Sequence, residues 1–171
     1  MVLLEAPDGD VIDARGLIAI PGLIDTHRHV WQAPLRGIAY DWTLMEYLRH
    51  MGNYGAAYRP QDVYIGNLLG AVETIDAGIT TVLDWCHILN TPDHADEAVR
   101  GLQHSGSRAV FAHGNPGNGF MDWFYESRLP HPDDVRRVRT AHFSSDDRLV
   151  TMAMAIRGPE YSVMDVAKRD I

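Results

Sequence analysis

The chain has 171 residues, enough for one ordinary domain with a sizeable core, and its 46% hydrophobic and 22% charged residues are those of a globular protein. A net charge of −8 argues against a nucleic-acid backbone or an anionic membrane as partner, because both recruit basic patches. No apolar run is long enough to span a bilayer, and the start MVLLEAPDGD has neither the basic nor the apolar region of a secretory signal. The one cysteine, Cys86, excludes an intrachain disulfide and suits a reducing cytoplasm, where it reads as a strand-end packing residue.

In chain order, residues 1–20 read as short strands and turns: Val2–Leu4, a turn over Pro7-Asp8-Gly9-Asp10, then Val11-Ile12 and Leu17–Ile20 around Arg15-Gly16. Pro21-Gly22 is a further turn, followed by the apolar Leu23-Ile24 of a buried-type strand. Residues 31–58 make a long connection rich in Trp and Tyr, which suits a binding segment, with a short helix over 42–51 placing Leu44, Tyr47, Leu48 and Met51 on one side. The clearest helix spans 60–77, with Pro60 and Asp62 in its first turn and an apolar stripe of Tyr64, Leu68, Ala71, Val72 and Ile75. Gly78 stops it, and Ile79–Leu83 is a strand buried on both faces.

The alternation repeats. Thr91-Pro92 opens a helix with Ala95, Ala98, Val99 and Leu102 inward, closed by Gly106. Strand Arg108–Ala112 leads into the loop His113–Gly117, and a loop with Trp123, Phe124 and Tyr125 leads to a helix from Pro132 to about Phe143. Leu149–Ile156 is a fourth strand, and Ser162 with Asp165 resembles a capping box for a last helix. Strands and helices at these intervals mean parallel βαβ units. A small doubly wound sheet would carry a glycine-rich phosphate loop after its first strand, where His27-Arg28-His29 stands instead. A (β/α)8 barrel needs roughly 250 residues. The fold class is therefore α/β, a partial TIM-type barrel of its first four βα units.

If Leu23 onward is a strand, His27 and His29 emerge on one face with Cα atoms roughly 6.5–7 Å apart, and Arg28 faces away. Both imidazoles can then reach one metal ion at about 2.0–2.1 Å. A bare His-x-His pair is weak evidence in a chain with nine histidines. The whole string PGLIDTHRHVWQAPLRG, residues 21–37, says more. It resembles the first barrel strand of the amidohydrolase superfamily, most closely the aminohydrolase, deaminase and chlorohydrolase branch, including the Arg36-Gly37 pair that follows.

That resemblance is tight at 21–37 and loose over 10–171. It implies a small β-domain, of which residues 1–20 are the end, before a barrel whose first half is 21–171. It implies one divalent metal, Zn²⁺ by preference and Fe²⁺ as the other choice, held by His27 and His29 and by two histidines and an aspartate from later strands. The metal would activate water to attack a purine, pyrimidine or triazine-like carbon and expel ammonia, an amine or chloride. Gln32 stands where some purine deaminases of the branch place a base-reading glutamine, an amide offering donor and acceptor together, and Trp31 could stack on a planar substrate.

Other strand-end groups follow from the barrel rule: Asp84 and His87, His113 and Asn115, Arg157 and Glu160. Of these, Asp84 is a candidate to orient a ligand histidine, whereas His87 and His113 match no metal position of the family pattern and read as loop hydrogen-bonders. Arg36 reads as a loop-fixing residue. The catalytic acid or base is not assignable. The expected partner is a small molecule, with no nucleic acid and no membrane; a homo-oligomer or the remainder of the barrel would cover the open strand edges. The rival readings are a cyclic-amide hydrolase of the same superfamily and a catalytically incomplete fragment.

Overall fold

The computed structural model describes residues 12–171. The expected strand Val2–Leu4, the turn at 7–10 and Val11 lie outside the described residues. Ile12 to Gly22 run without a strand, so the expected strand Leu17–Ile20 is absent. Its apolar side chains stand in solvent, with no neighbouring strand among the described residues to supply a ladder.

Four strands follow: β1 (Leu23–Arg28), β2 (Ile79–Cys86), β3 (Arg108–His113) and β4 (Val150–Met154). They form one sheet, all pairs parallel, in the order β1-β2-β3-β4. Spatial order thus equals chain order. A doubly wound sheet reverses its order at a switch point, whereas a barrel adds each strand beside the last. The sheet belongs to the barrel type.

The helices are α1 (Leu44–Ala57), α2 (Pro60–Asp76), α3 (Pro92–Ser105), α4 (Phe120–Phe124), α5 (Asp134–His142) and α6 (Met164–Asp170), with a 3-10 turn over Val30–Leu35. Within α3, Ala95, Ala98, Val99 and Leu102 are fully buried, as their spacing predicts. They meet Val82 and Cys86 of β2, Phe111 of β3, and Val138 and Phe143 at α5 in one core on the helix-covered side of the sheet. The Phe111 and Phe143 rings stack at 6.1 Å.

Three helices differ from expectation. In α2 the buried face is Val63, Gly66, Asn67, Gly70, Ala71 and Thr74, while Val72 and Ile75 of the expected stripe are exposed. The reason is close packing of backbone: a Cβ at Gly66 would stand 2.5 Å from the Trp31 carbonyl oxygen, and one at Gly70 2.6 Å from that of Val30. Glycines let the 3-10 turn lie directly on the helix, so hydrophobicity does not mark the face in contact. The helix α1 runs six residues past Met51, and Thr43 with Glu46 starts it as a reciprocal capping box. At α6 the expected Ser162 cap fails. The Ser162 hydroxyl turns back to the Gly158 carbonyl at 3.1 Å, and Val163 holds the N-cap position without a side-chain bond.

The strand β1 is exposed rather than buried, with Ile24 66% accessible. It pairs only with β2 among the described residues, and β4 pairs only with β3. Both edges are open.

Candidate metal centre and substrate pocket

The register of β1 against β2 sets the site. His27 and His29 lie at the C-terminal end of β1, where alternation keeps both rings on one side while Arg28 turns away to pair with Glu73 of α2 at 3.1 Å. Arg36 pairs with the same Glu73, which ties the loop after β1 to α2, the loop-fixing role its position suggests. The His27 and His29 rings are 5.1 Å apart, edge to face.

His29 Nδ1 is 2.8 Å from the carbonyl oxygen of Trp85 in β2. A carbonyl can only accept, so Nδ1 carries the proton and Nε2 keeps its lone pair. Such a bond fixes the tautomer of a metal-binding histidine. Burial also holds the His29 ring below its ordinary pKa, against the Trp85 bond and helped by the charge of His27, which keeps it a neutral ligand. The pair therefore fits one half of a divalent metal site. No group of three or more His, Cys, Asp or Glu is arranged to hold an ion among the described residues.

Asp84 does not orient a ligand histidine as the sequence suggested. It lies fully buried on the helix side of β2, where Oδ1 accepts from the Val30 N–H at 3.0 Å and Oδ2 from Asn67 Nδ2 at 3.0 Å. Burial raises its pKa to about 7 against these hydrogen bonds. Its grip falls on the residue after His29, so β2 holds the end of β1 twice: by the Trp85 carbonyl and by the Asp84 carboxylate.

The rings of His27 and His29 open into a cavity of about 440 Å³. Its wall includes Trp31, Tyr47, Trp85 and His87, with Met51 of α1 and Phe124 of α4. A larger groove, about 1050 Å³, runs along the free edge of β4 and shares no residue with the histidine cluster. Chemistry favours the smaller one, where strand-end imidazoles converge.

Among the other candidates, Trp31 lines the cavity but is only 1% accessible, held edge-on by Tyr58 at 5.1 Å and His87 at 5.4 Å. It has no open face on which a ring could stack. Gln32 stands behind it, its Oε1 accepting from the Tyr47 hydroxyl at 2.9 Å and its buried Nε2 without a partner. His113 turns to the helix side, where its Nδ1 meets His131 Nε2 at 3.1 Å, and burial with that neighbour lowers its pKa to about 4. Arg157 is buried under the loop 123–129, binding the carbonyls of Trp123 and Leu129 and the Ser127 hydroxyl. Asn115 and Glu160 bond within their own loops. The buried Cys86 thiol is pushed well above its usual pKa, as befits packing rather than reactivity.

Sequence reasoning placed His87 among the strand-end groups but read it as a loop hydrogen-bonder; its ring is 4.2 Å from that of His29. Burial and the neighbouring imidazoles lower its pKa to about 3, so it is neutral. Position two residues beyond Trp85, on the same face, was the available signal. Tyr47 was also missed as a partner of Gln32; the Thr43-x-x-Glu46 box marks the start of the helix that delivers it.

No helix among the described residues is long and apolar enough to cross a membrane. Comparison with known proteins agrees with the fold and the motif. A 5'-deoxyadenosine deaminase of Methanocaldococcus jannaschii is 37% identical over 125 residues, 72% of this chain and 27% of that protein. A 5-methylthioadenosine/S-adenosylhomocysteine deaminase of Syntrophomonas wolfei is 37% identical over 119 residues, 67% of this chain and 26% of that one. The chain spans about a quarter of the length of these curated relatives. The crystal structure of an adenosine deaminase from Xanthomonas campestris with bound zinc superposes with a TM-score of 0.60 at 24% identity, covering 82% of this chain and 30% of that one. The sequence pattern of the amidohydrolase family matches residues 18–165, and with the His-x-His strand end and the singly wound sheet in place, the chain belongs to the amidohydrolase family.

Proposed function

We propose that this chain supplies the first two metal ligands and part of the substrate pocket of a metal-dependent aminohydrolase that deaminates a purine nucleoside. One observation carries the reading: His27 and His29 share a face at the C-terminal end of β1, and the Trp85 carbonyl leaves His29 Nε2 free to ligate. The names of the relatives, deaminases of 5'-deoxyadenosine and 5-methylthioadenosine, support the substrate class.

His27 and His29 would hold zinc, which suits two imidazoles and is present in the Xanthomonas campestris structure. When bound, the ion supplies Lewis-acid activation of the attacking water. Trp85 and Asp84 fix the ligand strand, and Trp31, Met51 and Phe124 exclude water from the cavity. Trp31 walls the cavity, and Gln32, braced by Tyr47, backs it from behind. In the same reading residues 1–20 end a small β-domain and 21–171 form the first half of the barrel. The protein works in the cytoplasm on a small molecule.

The test is zinc content and ammonia release by the full-length gene product with 5'-deoxyadenosine and 5-methylthioadenosine, alongside cyclic amides. Deamination with about one zinc per chain, both lost in His27→Ala and His29→Ala, is the expected result. Turnover of cyclic amides alone, or zinc retained in both variants, would refute it.

A further inference from the structure

We propose that His87 is a substrate-contacting residue, presenting a ring nitrogen to the polar edge of a nitrogen heterocycle that lies against His27 and His29. The assignment rests on the aminohydrolase reading and adds to it the group that meets the base from the second strand.

Placement comes first. Cys86 ends β2 with its side chain in the core, so Trp85 and His87 both turn to the other side, and both line the cavity of about 440 Å³ with His27 and His29. The ring of His87 is 4.2 Å from His29, 5.4 Å from Trp31 and 6.3 Å from Phe124. Aromatic neighbours on three sides restrict its rotation, which is what a group that selects a ligand by direction requires.

The Trp85 carbonyl takes His29 Nδ1, and Tyr47 takes Gln32 Oε1. Among the described residues, the His87 ring has no hydrogen bond to any other residue, meeting only its own backbone, and it lines the cavity, which Gln32 does not. A polar ring at the floor of an otherwise aromatic and apolar pocket is the kind of group that fixes ligand orientation. It does not join His27 and His29 as a third ligand, since no such trio forms. A neutral imidazole can turn one nitrogen, donor or acceptor by tautomer, to the N–C=O or N=C–NH₂ edge of a purine.

Two variants of the full-length protein test this. His87→Phe keeps a planar ring and removes both nitrogens; His87→Gln returns a donor and an acceptor. Calorimetric binding of inosine and zinc per chain are measured for each, with thermal melts to verify folding. The expected result is about tenfold weaker inosine binding in His87→Phe, at least partly restored in His87→Gln, with zinc content unchanged. Unchanged affinity in His87→Phe overturns the proposal, and so does loss of zinc, which would place the ring on the metal instead. If the wild-type protein binds zinc but no inosine, the purine reading itself fails, and that failure is visible before any variant is made.

Discussion

Asp84 and His113 are buried titratable groups on neighbouring strands, and their shifts have opposite consequences. Asp84 is raised to about 7, so the unfolded chain loses this proton near pH 4 and the folded chain only near 7. Its contribution to stability is full below about pH 4 and is lost as pH rises toward 7. His113 is lowered to about 4, so its contribution is full above about pH 6.5 and is lost as pH falls toward 4. Over the shared window the two oppose each other. Relative to wild type, Asp84→Asn should make stability climb more steeply with pH, by about 1.4 kcal/mol per pH unit, and His113→Gln should flatten it by a similar amount. Urea melts of the 171-residue chain at three pH values inside that window check this; parallel curves for all proteins would refute it. At neutral pH, Asp84→Ala strands the Val30 N–H and one hydrogen of the Asn67 amide, whose other stays on the Ala98 carbonyl, and should cost about 2–4 kcal/mol in the same melts.

At the scale of elements, the seam between α2 and the 3-10 turn decides how well the ligand strand is held. Alanine in place of glycine inside a helix ordinarily gains up to about 1 kcal/mol. At Gly66 the added methyl would meet the Trp31 carbonyl at 2.5 Å, and that oxygen is backbone. Gly66→Ala should therefore destabilise, by about 1–3 kcal/mol, against its propensity. Gly78→Ala, with open space but φ +79, should also destabilise, from backbone strain alone. Chemical shifts separate the two: only the Gly66 variant should move the resonances of Trp31 and His29. The capping box of α1 gives a second test. Thr43→Ala removes the acceptor for the Glu46 N–H and should cost about 1 kcal/mol, fraying the helix that carries Tyr47 and Met51 to the cavity.

On a larger scale, the four-stranded sheet has two open edges among the described residues, and Leu23, Ile24 and Met154 are exposed on β1 and β4. Unpaired edges with apolar side chains invite association. The 171-residue chain by itself should self-associate in light scattering, and Met154→Lys should reduce this. It should also show no hydrolytic turnover, because two imidazoles are fewer than the three protein ligands a hydrolytic zinc site needs. Zinc-dependent turnover by this chain alone, abolished in His27→Ala, would sink the half-barrel account.

Much of this was legible in the residues. The period-two spacing of His27 and His29, the β-branched strand Ile79–Val82 and the four inward positions of α3 are local patterns, and local patterns survive into the fold because backbone geometry dictates which side chains share a face. Parallel pairing followed from the intervals, and the barrel order from His27-Arg28-His29 standing where a doubly wound sheet has its glycine-rich loop. Other features were set by packing across the sheet. The core face of α2 is marked by glycines that admit another backbone, so its apolar stripe points the wrong way. The targets of Asp84 and His113 depend on which side of the sheet each strand end presents. The strand-end position of His87 was legible, but its contact with His29, nearly sixty positions away, exists only because β2 lies beside β1.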